Sequence, residues 1–142
     1  MAARCAEQLN AHKLEVETAH GVSAHVFSLD LTAEVGAADL HAQIKAAGLS
    51  VDILINNAGF GETVNFVEES NKFIVDELTV NIHTLVELTH AFLPGMVERN
   101  DGIVVNIAST AAFQSLPYMA VYGASKAFVL SFTEALWGET KN

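Results

Sequence analysis

In the run VYGASKAFVL, residues 121 to 130, Tyr122 and Lys126 stand four positions apart among small and apolar residues. At that spacing on a helix both side chains project from one face. A free phenol holds its proton up to a pH of about 10, too tightly to exchange it well at neutral pH. An ammonium group alongside favours phenolate. Tyr plus Lys is therefore a workable acid/base unit. A bare YxxxK also reads as a packed ring beside a solvated lysine, so the neighbouring residues decide. Gly123, Ala124 and Ser125 lie between the pair and leave room for another molecule to approach the helix. Ser109, thirteen residues upstream at the end of an apolar run, supplies a hydroxyl that can orient a carbonyl or alcohol oxygen. Asn81 sits within LTVNIHTLVEL, where helix propensity disfavours asparagine and calls for another reason.

Regular elements must hold these groups. Residues 3 to 18 read as a helix closed by Gly21. AHVFSLDL, 24 to 31, has strand character, and Thr32 is the expected cap of a second helix ending at Gly48. VDILIN, 51 to 56, is a continuous apolar run, as expected of a strand covered on both faces. A long helix opens at Glu69 or Ser70 and runs to about Glu98, with Pro94 expected to kink it or end its regular part. GIVVNIAS, 102 to 109, is a third buried strand, and a last helix runs from Pro117 or Met119 through Trp137. Helices alternating with apolar strands predict an α/β fold with βαβ crossovers and a parallel sheet. With no repeat, linker or low-complexity segment, residues 1 to 142 read as part of one domain.

In open parallel sheets, ligands bind outside the carboxyl ends of the strands. The three strand ends here read SLDLT, NNAGFG and NIASTAAF. Singly each is weak. Asp30 serves equally as a helix cap, Gly59 and Gly61 as turn glycines, and Ser109 as a loop serine. Their weight comes from appearing together at three consecutive strand ends.

Composition excludes other classes. The net charge of −10, from 17 acidic against 7 basic side chains, disfavours nucleic-acid backbones and anionic membrane surfaces. No apolar run is long enough to span a bilayer. The single cysteine, Cys5, suits a reducing, cytoplasmic setting. The six histidines show no metal-ligand spacing, so no metal site is expected. Phe60, Phe113, Leu116, Tyr118 and Met119 flank the expected cleft and read either as an apolar substrate pocket or as core.

The set NNAG (56 to 59), Asn81, Ser109 and YGASK (122 to 126), at these spacings, resembles the short-chain dehydrogenase/reductase family over the whole chain. The family's NVSS stands here as NIAS. The resemblance implies a partial doubly wound parallel sheet, Rossmann-like and incomplete in this chain. It implies that Tyr122 is the general acid/base, and that Lys126 makes the phenol more acidic while holding the nicotinamide ribose. Ser109 would position the substrate oxygen, and Asn81 would hold a water linking Lys126 to solvent. Asp30 and Leu31 resemble the pair that brackets adenine. Asn57, Ala58 and Gly59 would line the cofactor cleft, with Val80 and Ile107 beside them. Arg4, at the presumed end of the family's second strand, would read the 2′-phosphate of NADP, since a guanidinium suits that dianion. NADP is therefore expected, with NAD as the other possibility, and the substrate is expected to be a small carbonyl or secondary alcohol. The family usually pairs through the helices carrying Asn81 and Tyr122, which implies a homodimer or homotetramer.

Two departures bear on these expectations. No GxxxGxG phosphate loop occurs, and the family's later strands and substrate-covering segment have no counterpart. The chain thus corresponds to the central half of a member of about 250 residues, and by itself it is expected to be inactive. In the family's strand order, 3-2-1-4-5-6-7, the strand at 24 to 29 does not neighbour the one at 51 to 55, so open strand edges are expected. Two other readings use the same fold: a nucleotide-binding or interaction module without catalysis, and an epimerase or dehydratase. The intact Tyr, Lys, Ser and Asn set favours the oxidoreductase over the module. The YGASK and NNAG forms resemble short dehydrogenases more than the longer sugar-nucleotide epimerases.

Overall fold

The computed structural model describes residues 1–141, which alternate strand and helix as the pattern of apolar runs predicts. Residues 1–50 and 51–142 form two compact units.

In the first unit, β1 (Ala2–Ala3) is followed by α1 (Ala6–His20), β2 (Phe27–Ser28) and α2 (Gly36–Ala46). β1 and β2 pair in parallel, Ala2 opposite Phe27 and Ala3 opposite Ser28. α1 begins three residues later than the sequence pattern indicates because Ala2 and Ala3 belong to the sheet. It ends at Gly21, whose φ of 64° is open to glycine without strain. The expected cap at Thr32 is not formed. Asp30 Oδ1 instead accepts from both the backbone N and the hydroxyl of Thr32, at 2.9 and 2.8 Å, which closes a turn. The helix starts only at Gly36, where a Cβ would stand 2.6 Å from the Asp30 carbonyl oxygen.

The second unit runs β3 (Ile53–Asn56), α3 (Asn71–Leu78), a π-helical segment (Thr79–Thr84), α4 (Leu85–Arg99), β4 (Ile103–Asn106), a 3₁₀ turn (Thr110–Phe113) and α5 (Ala120–Thr140). β3 and β4 pair in parallel from Ile53 opposite Ile103 to Asn56 opposite Asn106. β2 and β3 lie in different two-stranded sheets, consistent with the strand order that the family resemblance implies. Ser70 caps α3 by accepting from Phe73 N at 3.1 Å. The long helix is interrupted at a different place from the one expected. Pro94 lies inside α4, which continues to Arg99, whereas the wider π turns fall at 79–84 and carry Asn81. Such segments are rare and are frequent at functional sites.

β3 and β4 are not covered on both faces. Ile53, Ile55 and Ile103 are more than half exposed, because α4 and α5 pack on only one side of the pair. On that side Asn56 and Asn106 form a polar ladder. Asn56 Nδ2 donates to Asn106 Oδ1 at 2.9 Å and to Thr89 Oγ1 on α4 at 3.0 Å. Asn106 Nδ2 donates to Thr133 Oγ1 on α5 at 2.9 Å. Each threonine hydroxyl in turn donates to a carbonyl of its own helix, Leu85 and Val129. The ladder therefore fixes the height of both helices against the strand ends. Replacing Asn106 by Leu leaves one N–H of the Asn56 amide without its acceptor and should cost about 1–3 kcal/mol in urea denaturation. Replacing both asparagines by Leu should cost less than the two single losses added together, because each single variant already loses the bond between them.

Candidate active site at the carboxyl ends of β3 and β4

Lys126 is the centre of the site. Its side chain is buried at 5 % exposure on the first half of α5, and its Nζ donates to the Ile107 carbonyl oxygen, just past β4, at 2.8 Å. Burial pushes the ammonium pKa below the usual lysine value. An ammonium has three donors, so this bond leaves two for other acceptors. One helical turn earlier, the Tyr122 ring stands with its centroid 5.7 Å from Nζ, so phenol and ammonium share one face as their spacing predicts.

Asn81, 1 % exposed, holds the loop after β3 in place. Its Oδ1 accepts from Phe60 N at 3.0 Å, and its Nδ2 donates to Phe60 O at 2.8 Å and to Ser125 Oγ at 3.1 Å. Ser125, fully buried, donates its hydroxyl hydrogen bond to the Tyr122 carbonyl at 2.8 Å. The π segment, the NAGFG loop and α5 are thereby tied through one amide. This supplies the reason for an asparagine amid apolar helix residues.

The two loop glycines admit close approach. A Cβ at Gly59 would meet Asn81 Oδ1 at 3.0 Å and Lys126 Nζ at 3.3 Å. One at Gly61 would stand 2.6 Å from Tyr122 Cδ2 and 3.0 Å from Glu77 Oε1. Neither glycine has an unusual φ; what they provide is space for the ring and the ammonium.

Ser109 begins the 3₁₀ turn, its Oγ accepting from Ala111 N at 3.2 Å and keeping its own hydrogen to donate. The turn packs on α5, with the Ala111 carbonyl 3.7 Å from where a Cβ of Gly123 would be. Asn57, Ala58 and Gly59 are exposed at the carboxyl end of β3, and Ile107 is 40 % exposed beyond β4. Val80 is buried, so its side chain belongs to the core of the π segment. Arg4, Asp30 and Leu31 belong to the first unit: Arg4 is exposed after β1, Leu31 is buried, and Asp30 closes the turn after β2.

Sequence reasoning missed three contributors. Ser125 is a hydrogen-bonding partner, where its size alone suggested a spacer. Asn106 and Asn56 form a ladder that the shared Asn endings of ILIN and IVVN could have signalled. Glu77 is 1 % exposed, and its Oε1 has no hydrogen-bond partner among the described residues. Its pKa is raised to about 7, first by desolvation and then by the charges of Glu69 and Glu62. Nothing in VDELTV distinguishes it from a solvated helix glutamate.

Known proteins resemble this chain in sequence and fold. The short chain dehydrogenase family profile matches residues 1–142. The very-long-chain 3-oxoacyl-CoA reductase of Bos taurus is 32 % identical over 145 residues, covering 98 % of this chain and 45 % of the relative. A short-chain dehydrogenase from Sphingobium yanoikuyae, solved in complex with NADPH, superposes with a TM-score of 0.90 at 32 % identity, over 99 % of this chain and 55 % of that one. The bulky-bulky ketone specific alcohol dehydrogenase of Comamonas testosteroni gives a TM-score of 0.90 at 29 % identity, over 98 % and 55 %. The chain belongs to the short-chain dehydrogenase family of oxidoreductases, with its Rossmann-type α/β fold. It spans about half the length of the relatives it matches.

Proposed function

We propose that the protein carrying this chain is an NADP(H)-dependent oxidoreductase that interconverts a carbonyl and a secondary alcohol, with Tyr122 as its acid/base. The observation that carries this reading is the buried Lys126 ammonium on the Tyr122 face, fixed by Ile107 O and set against Gly59. A nicotinamide nucleotide suits these residues. The exposed 57–59 backbone, the space kept by Gly59 and the two remaining Lys126 donors would hold a ribose and its nicotinamide. When bound, the cofactor supplies or accepts the hydride.

The chain's own groups do the rest. Tyr122 gives its hydroxyl proton to the carbonyl oxygen in reduction, and its phenolate takes the proton back in oxidation. Lys126 stabilises that phenolate electrostatically. Ser109 donates its free hydroxyl hydrogen to the same substrate oxygen and fixes its direction. Asn81, with its side-chain groups already engaged, keeps the loop and α5 in register, a role that acts through Lys126 and Tyr122. Exposed Val75 and Leu78 on α3, and Phe128 and Trp137 on α5, suit pairing with a second copy.

NADPH is the cofactor this reading favours, through Arg4 and by analogy with the Sphingobium yanoikuyae relative. Arg4→Ala should weaken NADPH binding by about tenfold to a hundredfold and leave NADH binding unchanged, as expected for one hydrogen bond to a charged group. Fluorescence titration of both nucleotides checks this, and equal affinities in the wild type would remove Arg4 from the site.

A further inference from the structure

Glu77 is the one group of the site that this chemistry does not yet use. It lies on α3, one helical turn before Asn81, yet it is among the most completely buried side chains of the described residues. Burying a carboxyl group without a hydrogen-bond partner is costly, and its Oε1 has none. That oxygen is aimed at Gly61. A single point there, the position of a Gly61 Cβ, lies 3.0 Å from Glu77 Oε1 and 2.6 Å from Tyr122 Cδ2. The carboxyl and the ring thus both border the space that a Gly61 side chain would fill.

We propose that Glu77 is a positioning residue for Tyr122: its carboxyl, set beside the phenol ring at Gly61, governs by its own ionisation how readily Tyr122 releases a proton. The proposal rests on Tyr122 being the acid/base of the site. Protonated, Glu77 adds no charge, and Lys126 alone acts on the phenol. Ionised, it places a negative charge near the ring and opposes phenolate. The other titratable groups around it are consistent with that division. Glu62 and Glu69, on the loop between β3 and α3, push Glu77 toward its protonated form, and burial does so more strongly. Lys126 lies at the neighbouring Gly59, on the Tyr122 ring. On α3 itself, Asp76 is paired with Lys72 at 2.6 Å. On this proposal the two groups interact through space at Gly61, with no hydrogen bond between them.

The test is spectroscopic and needs no substrate. In the protein carrying this chain, phenolate absorbance is followed from neutral to alkaline pH, and the part missing from Tyr122→Phe is assigned to Tyr122. In Glu77→Gln that part should appear about one pH unit lower than in the wild type, the size expected of a charge at this range in a partly buried site. Glu77→Met, also neutral, should shift it the same way. An unchanged midpoint in a folded variant would overturn the proposal. If neither variant folds, the wild-type Tyr122 ring resonances should move with a midpoint near pH 7, where Glu77 ionises, and resonances flat through that range would overturn it equally. In alcohol oxidation, Glu77→Gln should move the alkaline rise of turnover to lower pH. If Tyr122→Phe keeps its activity, the acid/base role fails, while the absorbance shift still reports whether Glu77 and Tyr122 are coupled.

Discussion

Tyr122→Phe should lower turnover by about 10²–10⁴-fold, the usual contribution of a positioned acid/base, and leave folding and NADPH affinity nearly unchanged. The substitution keeps the ring that fills the space at Gly61 and removes only the hydroxyl. The Tyr122 group that Ser125 bonds is the backbone carbonyl, so the anchoring of α5 through Ser125 and Asn81 survives. Lys126→Met differs in kind. It removes the charge, the bond to Ile107 O and the donors facing the cleft together, so it should reduce turnover and nucleotide binding alike. Steady-state kinetics with nucleotide titration and a melting curve for each variant separate the two patterns. Wild-type turnover in Tyr122→Phe would withdraw the proton from the phenol.

The second large effect is on stability and comes from Glu77. Its folded pKa, about 7, lies above the ordinary value of 4.5, so between those limits the native state binds the proton more strongly than the unfolded chain. That contribution is fully present below about pH 4.5 and is lost as pH rises through about 7. The whole shift corresponds to roughly 3 kcal/mol, and solvent screening of the Glu62 and Glu69 share leaves about 2 kcal/mol. The wild type should therefore lose about 2 kcal/mol more than Glu77→Gln on going from about pH 5 to about pH 8. Urea denaturation of both proteins at the two pH values measures this, and parallel pH dependences would mean that Glu77 ionises freely in the folded state.

Some of this was legible in the sequence, for identifiable reasons. Alternating apolar runs and helical segments revealed the α/β class, because those periodicities are set by backbone geometry. Gly21 and Ser70 marked helix ends through local chemistry that needs no tertiary partner. The face shared by Tyr122 and Lys126 followed from helical spacing. Context decided the rest. Thr32 failed as a cap because Asp30, two residues away, took its N–H and hydroxyl into a turn. Pro94 did not end α4, while the break at 79–84 coincides with Asn81 reaching Phe60, a bond across 21 residues that no local pattern encodes. The covering of β3 and β4 was misjudged because an apolar run records what a strand can bury, whereas Ile53 and Ile55 stand open where no helix of their unit packs. Glu77 was invisible for the same reason: its meaning lies in Gly61 and Tyr122.

The most direct test is the path of the hydrogen itself. The protein carrying this chain would be given NADPH deuterated at the transferring carbon of the nicotinamide, together with a panel of carbonyl compounds that includes a 3-oxoacyl thioester and a bulky ketone, the compound classes in the names of two of its relatives. Mass spectrometry of the products should find the deuterium on the new carbinol carbon of at least one, with the added hydroxyl proton drawn from solvent. Tight NADPH binding with no deuterium on any carbinol carbon would contradict hydride transfer at this site and leave a nucleotide-binding module in its place.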